Sequence, residues 1–247
     1  MKGTVRNKKY LIWFWSLFTF PFILLITIFI LIGKGKLGPM PSFAQLENPE
    51  LNLAAQVISE DEVLLGLIAL ENRTWTDFEE LSPHLVDALI ATEDIRYYRH
   101  SGIDLRGLVR AVVKTIILRQ PTGGGSTISQ QLAKLLYPRE ADTVSAFTRK
   151  VRLGVSKFKE WQTAVKLEKS YTKEEIIAMY LNKYDFLYSA IGIQSASRVY
   201  FNTTPDSLNL QEAAVLVGML KNSSAYNPVK YYDRMYKRRN VVLSQRA

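Results

Sequence analysis

Residues 121–137 read PTGGGSTISQQLAKLLY, three glycines running into a hydroxyl pair and then into two glutamines and a lysine. A glycine-rich segment that feeds a helix can aim backbone N–H groups at an anion. The nucleotide-binding loop of NTPases needs GxxxxGK[ST], but no lysine precedes Ser126, and GxGxxG is missing too. The stretch is therefore not an NTPase signature. Thr127 and Gln130 have the spacing of a helix cap, which places a helix start next to Thr127. Beyond it Gln130, Gln131 and Lys134 extend one polar surface, while Ile128, Leu132 and Leu135 occupy the other side. Amide groups hydrogen-bond to sugar hydroxyls and to other amides, and a lysine neutralises phosphate. Gly125, Ser126, Thr127, Gln130, Gln131 and Lys134 are accordingly candidate ligand contacts.

Outward from this segment the chain reads as helix after helix from Ser82 onward. Ser82-Pro83 is an N-cap followed by proline at the first helical position. Leu105, Leu108, Val109, Val112 and Ile116 recur at helical spacing, with Arg106, Arg110 and Lys114 on another face. Such a basic stripe is ordinarily a solvated face; beside a membrane or an anionic ligand it can do more. Val144, Val151, Phe158 and Val165 sit seven apart and predict one long helix over about 143–170, with Gly154 a weak spot inside it. Thr172 with Glu175, and Asn209 with Glu212, have the spacing of capping boxes. Branched apolar runs flank an acidic turn in residues 56–70, QVISEDEVLLGLIAL, which predicts a short hairpin. The expected fold class is mainly α.

The 247 residues carry 47% hydrophobic side chains, enough for a packed core, and no cysteine, which excludes a disulfide scaffold and any Cys-based zinc site. Residues 11–32, LIWFWSLFTFPFILLITIFILI, hold no charge and as a helix span about 33 Å, the thickness of a bilayer's hydrocarbon core. Proline at position 21 is tolerated in a membrane span. A cleaved signal peptide expects a shorter apolar run and a small-residue cleavage site, whereas GKGKLGPMPS follows here, so an uncleaved anchor is expected. Lys2, Arg6, Lys8 and Lys9 precede the run and only Lys34 and Lys36 closely follow it. This keeps the N-terminus in the cytoplasm and sends the rest to the periplasmic or outer face. The net charge of +9 is mostly topology, because residues 1–46 carry six Lys/Arg and no Asp/Glu. What remains is 26 basic against 23 acidic residues, too modest for nucleic acid to be an expected partner. The expected organisation is a cytoplasmic tail (1–10), an inner-membrane helix (11–32), a linker with a short β segment (33–80) and a helical domain (81–247). The helical pattern runs to the final LSQRA without a convincing cap, from which a longer native protein is expected.

Two further stretches carry candidate chemistry. In ATEDIRYYRHSGID, residues 91–104, Glu93 and Asp94 close an otherwise apolar helical turn. A carboxylate on the edge of an apolar helix suits a base; a solvated acidic pair is the plainer reading. His100 reads as a structural hydrogen-bonder, since His84 is the only other histidine. In KFKEWQTAVKLEKSY, residues 157–171, Lys157, Glu160, Ala164 and Glu168 share one helix face. Carboxylates flanked by cations suit an ion-pair network or an anionic ligand site.

Taken together these stretches resemble the peptidoglycan glycosyltransferases, glycosyltransferase family 51, the domain of class A penicillin-binding proteins and of monofunctional transglycosylases. The family's first three motifs are similar to TEDIRYYRHSGID, GGSTISQQLAK and KEWQTAVKLE here, and YLNKYDF, GIQSASRVYF and LQEAAVLVGMLKNSSAYNP follow in the family's order. The resemblance runs from about Ser82 to the end. There are two departures. Ser156-Lys157 stands where the family has Arg-Lys, with Arg149-Lys150 seven residues earlier, and Asn202 replaces a glycine after YF.

The resemblance implies a lysozyme-like helical fold that polymerises lipid II, a disaccharide-pentapeptide on a polyprenyl pyrophosphate, into β-1,4 glycan with inversion. By motif position Glu93 is the base and Glu160 the second catalytic carboxylate. The implied substrate contacts are Asp94, Tyr97, His100, Gly125, Ser126, Thr127, Gln130, Gln131, Lys134, Glu168, and Arg149 or Lys157. It also implies a divalent cation (Mg2+ or Mn2+) at the pyrophosphate, with Glu160 as its candidate ligand and no organic cofactor. The implied partners are lipid II, the growing glycan, membrane lipids and other cell-wall synthesis proteins. A lytic transglycosylase and a non-catalytic membrane-held scaffold are the rival readings.

Overall fold

The computed structural model describes residues 3–36, 55–58, 64–68, 75–117, 119, 125–137 and 146–246. Its first element, α1, is a helix over Gly3–Gly33. Within it Lys8–Gly33 has a mean hydropathy of 2.5, long and apolar enough to cross a membrane. Trp13, Leu17 and Phe20 project outward with most of their surface exposed. Thr19 and Thr27 donate their hydroxyls to the Trp15 and Ile23 carbonyls, which satisfies the helix's own polar groups without water. At its far end Ile32 is fully buried and Phe29 meets Phe158 edge to face at 5.4 Å.

Strands β1 (Ala55–Ile58) and β2 (Leu64–Ile68) pair antiparallel, forming the hairpin predicted from the flanked acidic turn. The rest is helical: α2 (Pro83–Glu93), α3 (Leu105–Val112, extended by a π-helical turn over Val113–Ile117) and α4 (Ile128–Leu136). Then come α5 (Ala146–Ser170), α6 (Lys173–Lys183), α7 (Ile193–Phe201), α8 (Leu210–Leu220) and α9 (Tyr232–Arg246).

The caps predicted from sequence form. Ser82 accepts from the His84 N–H, and Thr172–Glu175 and Asn209–Glu212 close reciprocal boxes. At Thr127 only half a box exists. The hydroxyl accepts from the Gln130 N–H, but the Gln130 side chain turns to the Gly102 carbonyl instead. Asn202 ends α7 in the left-handed region (φ 52°), so that turn does accept asparagine.

Helix α6 is the central element. Seven consecutive residues, from Ile176 to Asn182, are buried, because α4, α5, α7 and the segment before α2 cover it on different sides. A polar side chain in that position needs full satisfaction. Asn182 has it: its amide donates to the Thr76 and Ala178 carbonyls and its oxygen accepts from the Thr76 N–H, 106 residues away. Gly192 packs on the same residue; with φ +83° and an added Cβ only 2.9 Å from the Asn182 carbonyl, no side chain fits there. Asn182→Leu strands both Thr76 groups and should cost about 2–3 kcal/mol, lowering the melting temperature by roughly 5–10 °C in a thermal scan.

Between α6 and α7, Leu187, Tyr188 and Ser189 all adopt positive φ (67°, 53° and 59°), a run that L-residues avoid. Ser189→Gly removes one of these penalties and should raise stability by about 1 kcal/mol, read as a higher melting temperature.

Candidate active site

Helix α2 ends at Glu93 because Asp94 leaves the helical region (φ −157°, ψ 71°) and turns its carboxylate inward. That carboxylate accepts from the Ile128 N–H at 3.2 Å and faces His100 Nε2 at 3.0 Å, with both side chains almost fully buried. Asp94 thus joins the C-terminus of α2 to the N-terminus of α4, a favourable placement for an anion. The join sets Glu93 beside Gln131, one turn into α4.

Gln131 donates from Nε2 to Glu93 Oε2 at 2.9 Å. Its own amide oxygen accepts from the Tyr180 hydroxyl of α6 at 2.8 Å, which fixes which end of the amide faces the carboxylate. Burial, and secondarily the Glu93 charge, push the Tyr180 phenol well above its ordinary pKa, so it stays a donor. The second oxygen, Glu93 Oε1, faces the Arg238 guanidinium of α9 at 3.5 Å. Glu93 is therefore an oriented carboxylate, 15% exposed, held directly from α4 and α9 and through Gln131 from α6. Tyr180→Phe frees the Gln131 amide to rotate and should lower the turnover of any reaction that uses Glu93 as a base about tenfold, with KM little changed, measured from initial rates over a range of substrate concentration.

A second cluster lies at the start of α4. Lys157 of α5 donates to the Ser126 hydroxyl and to Glu160 Oε2, both at 2.9 Å. Glu160 is nearly enclosed at 7% exposure, while Lys157 keeps 35% of its side chain in the open. Gly125 is half-buried against Ala111 of α3. A cavity of about 270 Å³ is lined among others by Glu93, Gly107, Arg110, Ser126, Thr127 and Gln245. Lys134 is exposed one turn beyond Gln131 on α4.

Several expected substrate contacts are bonded to other protein groups. Thr127 donates to the Gly102 carbonyl at 2.7 Å and Gln130 Nε2 to the same oxygen at 3.1 Å; both side chains are buried. Gly102 itself (φ +87°) lies so close to α5 that an added Cβ would meet the Ala164 backbone at 2.9 Å. Tyr97 is fully buried, donates to the Lys173 carbonyl and lies under the Lys173 ammonium at 4.3 Å. Burial and the Glu168 charge push its phenol upward as well. Glu168 pairs with Lys173 at 2.6 Å and accepts from Ser129, and Lys173 also reaches the His100 carbonyl. Asp94, Tyr97, His100, Thr127, Gln130 and Glu168 thus each bond to protein partners, while Asp94 and Thr127 also line the cavity and the buried His100 Nδ1 and Gln130 Oε1 have no hydrogen-bond partner among the described residues.

Arg149 belongs to α5, but its side chain lies outside the described residues. The expected divalent cation finds no protein cage: among the described residues no three His, Asp or Glu side chains gather, and Glu160 already holds Lys157. Sequence reading missed Tyr180, Arg238, Lys173 and Ser129. Ser129 lies inside the quoted STISQQ run, while Arg238 sits in a KRRN cluster that reads as an ordinary charged helix face.

Comparison with known proteins places the chain in a family. The family described as transglycosylase matches residues 61–247. Penicillin-binding protein 1A of Escherichia coli (strain K12) is 35% identical over 232 residues, 91% of this chain and 26% of that protein. Penicillin-binding protein 1A of Neisseria flavescens is 36% identical over 220 residues, 89% of this chain and 26% of that one. The crystal structure of penicillin-binding protein 1A from Haemophilus influenzae covers 80% of this chain and 18% of its own, at 21% identity and a TM-score of 0.40. The chain spans about a quarter of the length of the curated relatives it matches. It belongs to the transglycosylase family and corresponds to the glycosyltransferase region of the class A penicillin-binding proteins.

Proposed function

We propose that this peptidoglycan glycosyltransferase polymerises lipid II at the outer face of the cytoplasmic membrane, held there by α1 with its N-terminus inside. The observation that carries the reading is an oriented carboxylate, Glu93, opening into a cavity that Ser126 also lines, the hydroxyl to which Lys157 donates.

A sugar hydroxyl is a weak nucleophile, so a base must take its proton as the new bond forms. Glu93 accepts the proton of the acceptor's 4-hydroxyl. The freed oxygen attacks the donor's anomeric carbon from the face opposite the pyrophosphate, the C1–O bond to phosphate breaks, and the electron pair leaves with the pyrophosphate. Attack from the opposite face turns α into β, as in inverting glycosidases with the hydroxyl in place of water. Gln131 keeps the carboxylate aimed during this step. The leaving group needs charge neutralisation more than a proton, which Lys157 and the exposed Lys134 supply.

The test is polymerisation of labelled lipid II by the purified full chain in detergent or vesicles. Glycan polymer with release of polyprenyl pyrophosphate supports the reading. Untouched lipid II with sugars cut from preformed wall would make the chain a hydrolase, and no turnover of either substrate would leave a binding scaffold.

A further inference from the structure

Arg238 of α9 is a cation almost closed off from water, with 11% of its side chain exposed. Cationic side chains are rarely enclosed to that degree unless they are well paired, because desolvating the charge is costly. Arg238 is poorly paired. Its Nη2 stands 3.5 Å from Glu93 Oε1, and its Nε is buried without a hydrogen-bond partner among the described residues. A guanidinium kept for stability would have its fork of donors engaged. The fold nevertheless builds a seat for this one. An added Cβ at Gly218 of α8 would stand only 3.3 Å from Arg238 Cγ, so the stem of the side chain lies close against a glycine. The Tyr226 ring faces the guanidinium at 5.9 Å. Helix α9 is itself fixed along α2, where its Arg246 pairs with Asp87.

The effect of this seat falls on Glu93. Gln131 holds Oε2 through one hydrogen bond. One bond leaves a carboxylate free to turn about its last side-chain torsion, which is broad and two-fold. A cation at the other oxygen removes that freedom, so the carboxylate is held at both ends, from α4 and from α9. The neighbouring acid, Asp94, is engaged elsewhere, by His100 and the Ile128 N–H. We infer that Arg238 is a positioning residue for glycosyl transfer. It touches no reacting atom and acts through Glu93, holding the carboxylate in the plane from which it takes the acceptor's proton. This role rests on Glu93 being the base, and the variants below separate the two.

Initial rates of polymerisation of labelled lipid II are measured over a range of concentration for the full chain and its variants. Arg238→Ala should lower kcat about 10–100-fold with KM little changed, since a misplaced base costs rate and not binding. Guanidinium chloride, far below denaturing concentration, should enter the space left by the side chain and restore the rate about fivefold, whereas sodium chloride should restore none. Glu93→Gln combined with Arg238→Ala should be no slower than Glu93→Gln alone, because a residue that acts through Glu93 then has nothing to act on. Should Arg238→Ala melt well below wild type, Arg238→Met keeps the stem beside Gly218 and removes the charge, and its combination with Glu93→Gln is read instead.

Arg238→Ala within about twofold of wild type, with Glu93→Gln inactive, overturns the role of Arg238 and leaves Glu93 as the base. Glu93→Gln as active as wild type overturns both. A loss that guanidinium does not relieve, or that adds to the loss from Glu93→Gln, makes Arg238 a packing residue. A rise in KM with kcat unchanged makes it a substrate contact. Either result overturns the inference.

Discussion

Glu93→Gln should reduce lipid II polymerisation by about 10²–10⁴-fold while the chain still folds. The amide has the shape of the carboxylate and its oxygen can still accept from Gln131, so the hydrogen bond that anchors the side chain survives. Basicity is lost, and with it the means of removing the acceptor's proton as the glycosidic bond forms. Arg238, at 3.5 Å, loses an ionic partner but little packing, so the melting temperature should fall by no more than about 3 °C. The loss should appear in kcat, with KM nearly unchanged, because an interaction made only in the transition state is removed. Initial rates of polymer formation from labelled lipid II read this directly. A variant within tenfold of wild type removes Glu93 from the role of base.

Lys157→Met should be the next most severe change, about 10²–10³-fold in polymerisation rate. Its ammonium stands between Ser126 and Glu160 with a third of the side chain open, and the proposed mechanism uses it to neutralise the departing pyrophosphate. Part of the loss will be structural, since Glu160 is nearly enclosed and loses its cation. Lys157→Arg separates the parts: it keeps the charge and should recover most of the rate. Arg149→Met is the companion measurement. A larger loss from it than from Lys157→Met would move the phosphate contact to Arg149, two helical turns before the position where the family has its arginine.

What could be read from the chain was whatever depends on neighbours in sequence. A cap needs a residue and the N–H groups two or three positions on, so Ser82, Thr172 and Asn209 announce their helices unaided. The long α5 follows from a seven-residue rhythm, and the apolar run of α1 from composition alone. Glu93, Gln131, Lys157 and Glu160 were nameable because motif residues stay recognisable in order. Gln130 meets the Thr127 cap through its N–H as its spacing announces, but the partner of its side-chain amide, the Gly102 carbonyl 28 residues earlier, lies beyond what local spacing shows.

Which of the motif residues face the cavity was a tertiary decision. Gln131 reaches Glu93 across 38 residues and Tyr180 reaches Gln131 across 49, and Arg238 comes from the last helix to complete the carboxylate's surroundings. Tyr97 and Glu168, in the same motifs, both bond Lys173 of α6. Sequence by itself determined the helices, the long apolar run and the cast of polar groups, because those are set by local periodicity and chemistry. Only packing decided which of these groups keep an open edge, because burial depends on helices meeting that the chain order does not announce.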